Sequence, residues 1–457
     1  MTDVIAAVST ALSPSGIGIV RMTGEGVMDV LYKIYRSKTG RKDIRKAVSH
    51  TIHYGYVVDE DRTIDEVLVM WMKGPRTYTG EDTVEINCHG GVLAVRRVLD
   101  TALKYGARPA EPGEFSKRAF LNGKMDLSEA EAVMDVIRAG SEYALHNSLR
   151  QLRGSVRQAV MDMRKQILYH IAYIESALDD PEHFSIEGYG ETLSKVLVPI
   201  GEQIRRLTES FDDGRLLREG IRTVILGKPN AGKSSVLNML LGEDRAIVTD
   251  IAGTTRDVLE EQIMLKGISL RLADTAGIRD TDNPVEQIGV EKARQYAMQA
   301  DLILFVLDSS LPFDEDDMQI LDSVRDKNYI ILLNKIDLAP GITQEDVRAK
   351  TDRPVILFST KEGRGLVELE EMLKEMFFSG ELSFQEKIYI TNSRHKQEFA
   401  EAEKCIRLVM ESIDGGMPED FYFIDLMGAY EHLGNIIGES VGEDLVNEIF
   451  SKFCVGK

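Results

Sequence analysis

The run GKPNAGKSS, Gly227 to Ser235, follows the apolar stretch RTVIL and leads into VLNMLL. It fits the pattern G-x-x-x-x-G-K-[ST] in the strand, turn and helix context that this pattern requires. The glycines let backbone N–H groups converge on phosphates, and the start of the helix adds its positive end. Lys233 is then expected to reach the β and γ oxygens, and Ser234 to ligate Mg²⁺. Short β-branched runs recur on either side of helical stretches: RTVILG, SLRLAD, DLILFVLD, NYIILLN and PVILFS. Buried parallel strands of an α/β sheet read this way.

Further motifs sit where a nucleotide domain needs them. GTTRD, Gly253 to Asp257, occupies the place of a first switch, with Thr255 the expected Mg²⁺ and γ-phosphate ligand. DTAG, the residues Asp274, Thr275, Ala276 and Gly277, ends the run SLRLA, so that the acid can hold the metal's water shell and Gly277 can donate its N–H to a γ-phosphate. NKID follows YIILL, and the Asp337 carboxylate can accept both N–H donors of guanine, which adenine lacks. Asn334 and Lys335 belong to the same motif, and Ser359, Thr360 and Lys361 stand where a second base-contacting loop belongs. Ile278 follows DTAG where many GTPases carry a water-positioning glutamine, so the general base and the positive charge for hydrolysis must come from elsewhere.

The rest of the 457 residues has a different texture. Residues 1 to about 120 mix apolar runs (IGIVRM, VLVMWM, TVEIN) with turn signals such as KGPRTYTG, which reads as α+β. From Leu127 the periodicity is helical, with Ser128 and Glu131 as a capping box and Val133, Val136, Leu145, Leu149 and Leu152 on one face. Helical texture returns after Phe378. The expected plan is an N-terminal domain 1–121, a helical domain in two parts, 122–217 and 379–457, and an α/β domain 218–378 inserted between them. Of the net charge of −20, none comes from residues 1–121, which hold 17 basic against 15 acidic side chains, so a polyanion is expected to meet that third first. Cys88, Cys405 and Cys454 form no CxxC pair, and no run is long and apolar enough for a membrane helix; a cytoplasmic protein with reduced thiols is expected. His89, in CHGG, has no partner visible in the sequence and is read as structural.

Together GKPNAGKSSVLN, DIAGTTRD, DTAGIRDTDNPVEQIG, NKID, PGEFSKRAFLNGKMDLSEAEAV and the terminal FCVGK closely resemble the MnmE (TrmE) family of tRNA-modification GTPases, over essentially the whole chain. The resemblance implies a multidomain protein: a folate-binding N-terminal domain that dimerises, a helical domain and a Ras-like G domain. It implies GTP contacts from Asn230, Ala231, Gly232, Lys233, Ser234 and Ser235, and from Thr249, Asp250, Ile251, Ala252, Gly253, Thr254 and Thr255. A potassium ion on Asn230, Thr249, Ile251 and Thr254 is expected in place of an arginine finger, and Glu286 as the water-orienting group. Folate is expected at Arg21, Glu85, Lys124 and Lys457. The implied activity is aminomethyl or carboxymethylaminomethyl modification of the tRNA wobble uridine at C5. The implied partner is the flavoprotein MnmG with FAD and NADH, the one-carbon donor a tetrahydrofolate, and the nitrogen source ammonium or glycine. Cys454 is expected to lie near the folate and to add to C6 of the base. Two other readings stand beside this one: a ribosome-assembly GTPase of the Era/EngA type, and a folate-dependent aminomethyltransferase with a regulatory GTPase insert.

Overall fold

The computed structural model describes residues 3–39, 43–180, 182–243, 261–265, 267–272, 298, 300–378 and 388–456. They divide between two compact units, one of Met1–Met134, Gln151–Glu187 and Gly416–Lys457, the other of Asp135–Arg150 and Gly188–Gly415.

The first unit is built on a seven-stranded sheet: β1 (Ile5–Val8), β2 (Ile17–Thr23), β3 (Tyr35–Ser37), β4 (Thr51–Asp59), β5 (Arg62–Met72), β6 (Thr83–His89) and β7 (Arg108–Pro109), in the order β3-β4-β5-β6-β2-β1-β7. All neighbours run antiparallel except β1 and β7. One face alternates inward: Val20, Met22, Val69, Val84 and Ile86 pack with Leu31, Ile34, Val95 and Val98 of helices Val27–Ile34 and Val92–Lys104. The same unit carries the paired helices Ser155–Asp179 and Glu419–Ile437 and the last helix, Glu443–Ser451, which seats Val446 and Phe450 against Leu127, Ala130 and Met134.

Arg118 is the unit's buried charge, with 1% of its side chain exposed. It donates to Asp3 Oδ1 at 2.7 Å, Glu114 Oε1 at 3.1 Å and Glu81 Oε2 at 3.2 Å, while Arg108 pairs with Asp3 and Glu114 from the other side. Burial alone would raise the Asp3 and Glu114 carboxyls, but the two arginines outweigh it and hold both below the ordinary carboxylate value.

The helical stretch from Leu127 is broken where one periodic run was expected: Leu127–Arg138, Glu142–Leu152, then Ser155–Asp179. The first helix is capped by Asp126 and Glu129 in place of Ser128 and Glu131. Asp126 Oδ1 accepts from the Glu129 N–H at 2.8 Å and Glu129 Oε2 from the Asp126 N–H at 2.9 Å, a reciprocal box set two residues earlier. Ser141 then starts the second helix by accepting from the Ala144 N–H at 3.0 Å. That restart shifts the phase, so Leu145 is exposed and Asn147 and Ser148 are buried.

The second unit contains a six-stranded sheet: β8 (Ile221–Leu226), β9 (Glu261–Leu265), β10 (Ile268–Leu272), β11 (Leu302–Asp308), β12 (Tyr329–Asn334) and β13 (Val355–Leu357), ordered β13-β12-β11-β8-β10-β9. All five expected strands are present, and β12 is buried along its whole length, as a central parallel strand should be. The added strand is β9, antiparallel to β10 across a tight turn ending at Gly267, whose alternating EQIML pattern carries its signal. Helices Tyr189–Glu219 and Ser393–Asp414 pack along each other in this unit.

Arg118→Met leaves Asp3, Glu81 and Glu114 short of a buried partner and is expected to lower the unfolding free energy by about 3–5 kcal/mol, read from urea titration. The parent chain should lose stability as pH falls through the acid range. Carboxyls with depressed folded values contribute above their unfolded pKa and lose that contribution on protonation.

Candidate functional site

The sheet of the second unit reverses its direction of winding between β8 and β11, and loops at the carboxyl ends of its strands converge there. The loop after β8 leads into helix Lys233–Glu243. Asn230 takes a left-handed φ of 62° and Gly232 a φ of 101°. A Cβ on Gly232 would stand 2.2 Å from Asn334 Nδ2, so neither the backbone nor the space accepts a larger residue. Lys233 Nζ folds back on the loop and donates to the Gly227 and Lys228 carbonyls at 2.9 and 2.8 Å.

The end of β12 grips this loop from one side. Asn334 Nδ2 donates to the Ala231 carbonyl at 3.0 Å, and Lys335, itself at φ 63°, donates to the Asn230 carbonyl at 2.8 Å and to Asp308 Oδ2 at 2.6 Å. Burial would raise the Asp308 carboxyl, but Lys335 and Ser310 hold it below its usual value. Asn334 Oδ1 is buried with no partner among the described residues, an acceptor left over at the floor of the loop. Asp337 accepts from Ser359 Oγ at 2.9 Å, and Lys361 Nζ lies 3.8 Å from its other oxygen; Thr360 lies between these two residues and is half buried. A carboxylate fixed in its plane by two groups can present its lone pairs to a pair of parallel N–H donors.

A second hold on the loop was not visible in the sequence. Lys228 Nζ reaches Asp314 Oδ2 at 2.7 Å and Asp317 Oδ2 at 2.8 Å, at the capped start of helix Glu315–Ser323. Nearly 90 residues separate the partners, so only the fold brings them together. Ser234 and Ser235 fall in the first turn of helix Lys233–Glu243. Thr249, Asp250, Ile251, Ala252, Gly253, Thr254, Thr255, Asp274, Thr275, Ala276, Gly277 and Glu286 lie outside the described residues.

The first unit holds another charged cluster. Arg21 on β2 and Glu85 on β6 are cross-strand partners, joined at 2.8 Å through both Nε and Nη2. The guanidinium lies 5.6 Å from the Tyr78 ring centroid and 5.7 Å from that of Phe115, and Tyr78 bonds Ser116 at 2.8 Å. Lys124 is not bonded to this pair; its ammonium donates to the Pro75 carbonyl at 3.1 Å. Lys457 lies outside the described residues, but its neighbour Gly456 is bonded to Arg21. Cys454 is exposed, whereas Cys88 is buried, and its burial, with the charge of Asp65, pushes that thiol up to about 11. His89 has a partner after all. Its ring Nδ1 is 2.7 Å from Asp65 Oδ1, its N–H donates to Asp65 Oδ2 at 2.8 Å, and the carboxylate raises the imidazole above its ordinary value. Asp65 is 24 residues away on a neighbouring strand, a separation that single-sequence reading does not bridge.

The family model described as the MnmE helical domain matches residues 127–454, and the one described as the GTP-binding protein TrmE N-terminus matches residues 4–124. The tRNA modification GTPase MnmE of Lachnoclostridium phytofermentans is 53% identical over 456 residues, 100% of both chains. That of Thermoanaerobacter pseudethanolicus is 48% identical over 458 residues, 100% of this chain and 99% of the other. That of Bacillus subtilis is 45% identical over 462 residues, again 100% of both.

Gly232→Ala is expected to weaken guanine-nucleotide binding by about tenfold or more, roughly 1.4 kcal/mol, with an unchanged circular dichroism spectrum. Fluorescent GDP titration reads the loss, and unaltered affinity would mean that the loop absorbs the methyl group.

Proposed function

Because the chain belongs to the MnmE family of tRNA modification GTPases, we propose that it hydrolyses GTP within the machinery that builds 5-carboxymethylaminomethyl or 5-aminomethyl uridine at the tRNA wobble position. It works in the cytoplasm as a homodimer with the flavoprotein MnmG, which carries FAD and uses NADH. The one-carbon unit comes from 5-formyl- or methylene-tetrahydrofolate. Residues 1–121 form the folate and dimerisation domain, 122–217 and 379–457 the helical domain, and 218–378 the G domain.

The observation that supports GTP as the nucleotide is the meeting of the phosphate loop with the NKID end of β12, through Asn334 to Ala231 and Lys335 to Asn230. Asp337 selects guanine, Ser359 and Lys361 keep its carboxylate in place, and Lys233 holds the phosphate chain. The donor sets fit hard cations: Ser234 and Thr255 would hold Mg²⁺, and Asn230 with Thr249, Ile251 and Thr254 would hold K⁺. Bound there, the two ions supply positive charge against the charge that develops in phosphoryl transfer. Glu286 orients the attacking water, the task that Ile278 cannot perform. In the first unit Arg21, Glu85, Lys124 and Lys457 bind the folate, a mixture of charges suited to a glutamate tail and a polar pterin. The Cys454 thiolate adds to C6 of the uridine, and the C5=C6 π pair moves to C5, which then attacks the one-carbon unit. Loss of the C5 proton and expulsion of the thiolate restore the double bond.

Nucleoside analysis of tRNA from cells lacking the protein is expected to show unmodified wobble uridines, restored by the intact gene; unchanged uridines would end the reading. In vitro, GTP turnover should rise when potassium replaces sodium at matched ionic strength, and equal rates would remove the ion from the mechanism. Glu286→Ala should keep GTP binding and lose about 100-fold or more in hydrolysis.

A further inference from the structure

The last described residues are held at both ends and open in the middle. Phe453 is 8% exposed, with its ring centroid 5.0 Å from that of Phe450 and the rest of the aromatic packing behind it. The Cys454 carbonyl accepts from the Gly113 N–H at 3.3 Å. Two residues on, the Gly456 carbonyl accepts from Ser9 Oγ at 3.1 Å and, at the longer distance of 3.4 Å, from Arg21 Nη1. Gly456 is buried at φ 95°, and a Cβ there would stand 2.3 Å from the Val8 carbonyl oxygen. Between these anchors Cys454 is exposed and Val455 is 56% exposed.

A free tail would need neither a left-handed glycine in a backbone slot nor two side-chain donors converging on one carbonyl. We propose that residues 453–456 form a pinned arch whose purpose is to present the Cys454 thiol at a fixed place, and that Ser9, Gly456 and Arg21 are positioning residues for that thiol. The inference deepens the reading of Cys454 given above and rests on it for its chemical purpose, while the arch itself is a property of the chain alone. It assigns Arg21 two tasks: it closes the cross-strand pair with Glu85, and with its remaining nitrogen it reaches the backbone that carries the thiol. Fixing the thiol before substrate arrives spares the ordering entropy of a mobile tail at the moment of reaction.

A nitroxide on Cys454, in the full chain with Cys405→Ser and with Cys88 too buried to label, reports the arch by its paramagnetic resonance lineshape. The parent is expected to show an immobilised component. Gly456→Ala, a change too close to the chain end to unfold the protein, should abolish that component; Ser9→Ala should diminish it, and Arg21→Met should do so more than Arg21→Lys, which keeps a donor. GTP turnover in Gly456→Ala should match the parent while tRNA modification is lost. A lineshape that is mobile in the parent, or unchanged by Gly456→Ala, overturns the arch. The lineshape is read without folate, tRNA or MnmG. A failure of the modification assay in the parent chain would therefore count against the proposed function, while the spectrum alone decides for or against the arch.

Discussion

Arg118 carries a full positive charge into an interior where desolvation costs several kcal/mol, and the fold around it is arranged to answer that charge. Its partners come from three separate places: Asp3 just before the first strand, Glu81 in the loop before β6, and Glu114 in the first turn of helix Glu114–Leu121. The requirement to satisfy one guanidinium therefore fixes three segments with respect to one another. Helix Glu114–Leu121 carries Phe115 and Ser116, which build the wall around Arg21 and Tyr78, and it begins at Gly113, where the carboxyl-terminal arch is bonded. The cluster at Arg21 inherits its geometry from a charge that takes no part in it.

The nucleotide unit solves a related problem by other means. A phosphate-binding loop must expose backbone N–H groups, so it cannot spend them on its own hydrogen bonds, and its shape has to be imposed from outside. Asn334 and Lys335 impose it through the carbonyls of Ala231 and Asn230, and Asp314 with Asp317 impose it through Lys228. Each brace is rooted at the carboxyl end of a buried strand or at a capped helix start, the most rigid positions available nearby.

What the sequence revealed and what it hid divide along a physical line. The buried strands RTVIL, DLILFVLD and NYIILLN were legible because a parallel strand covered on both faces has no choice but continuous apolar character. The phosphate loop was legible because its chemistry is local, within nine residues. Asp65 beside His89, Asp314 and Asp317 beside Lys228, and Ser9 beside Gly456 were not legible, because each pairing depends on strand order or on helix placement across long stretches of chain. The misplaced helix cap had a subtler cause. Ser128 and Glu131 satisfy the same spacing as Asp126 and Glu129, and the choice fell to the frame in which Leu127 could be fully buried.

Arg21 and Glu85 face each other because β2 and β6 share one register, in which Val20 opposes Ile86 and Met22 opposes Val84. Side chains alternate across a strand, so a single residue inserted into either strand would turn one of the two charges towards Val20, Val84 and Ile86, which are fully buried. A substitution at Arg21 or Glu85 only weakens the pair; a frame slip buries a lone ion and strands its partner on the opposite face. The lengths of these two strands are therefore more tightly constrained than the identity of any residue in them, and related chains are expected to differ here by exchange of residues rather than by gaps.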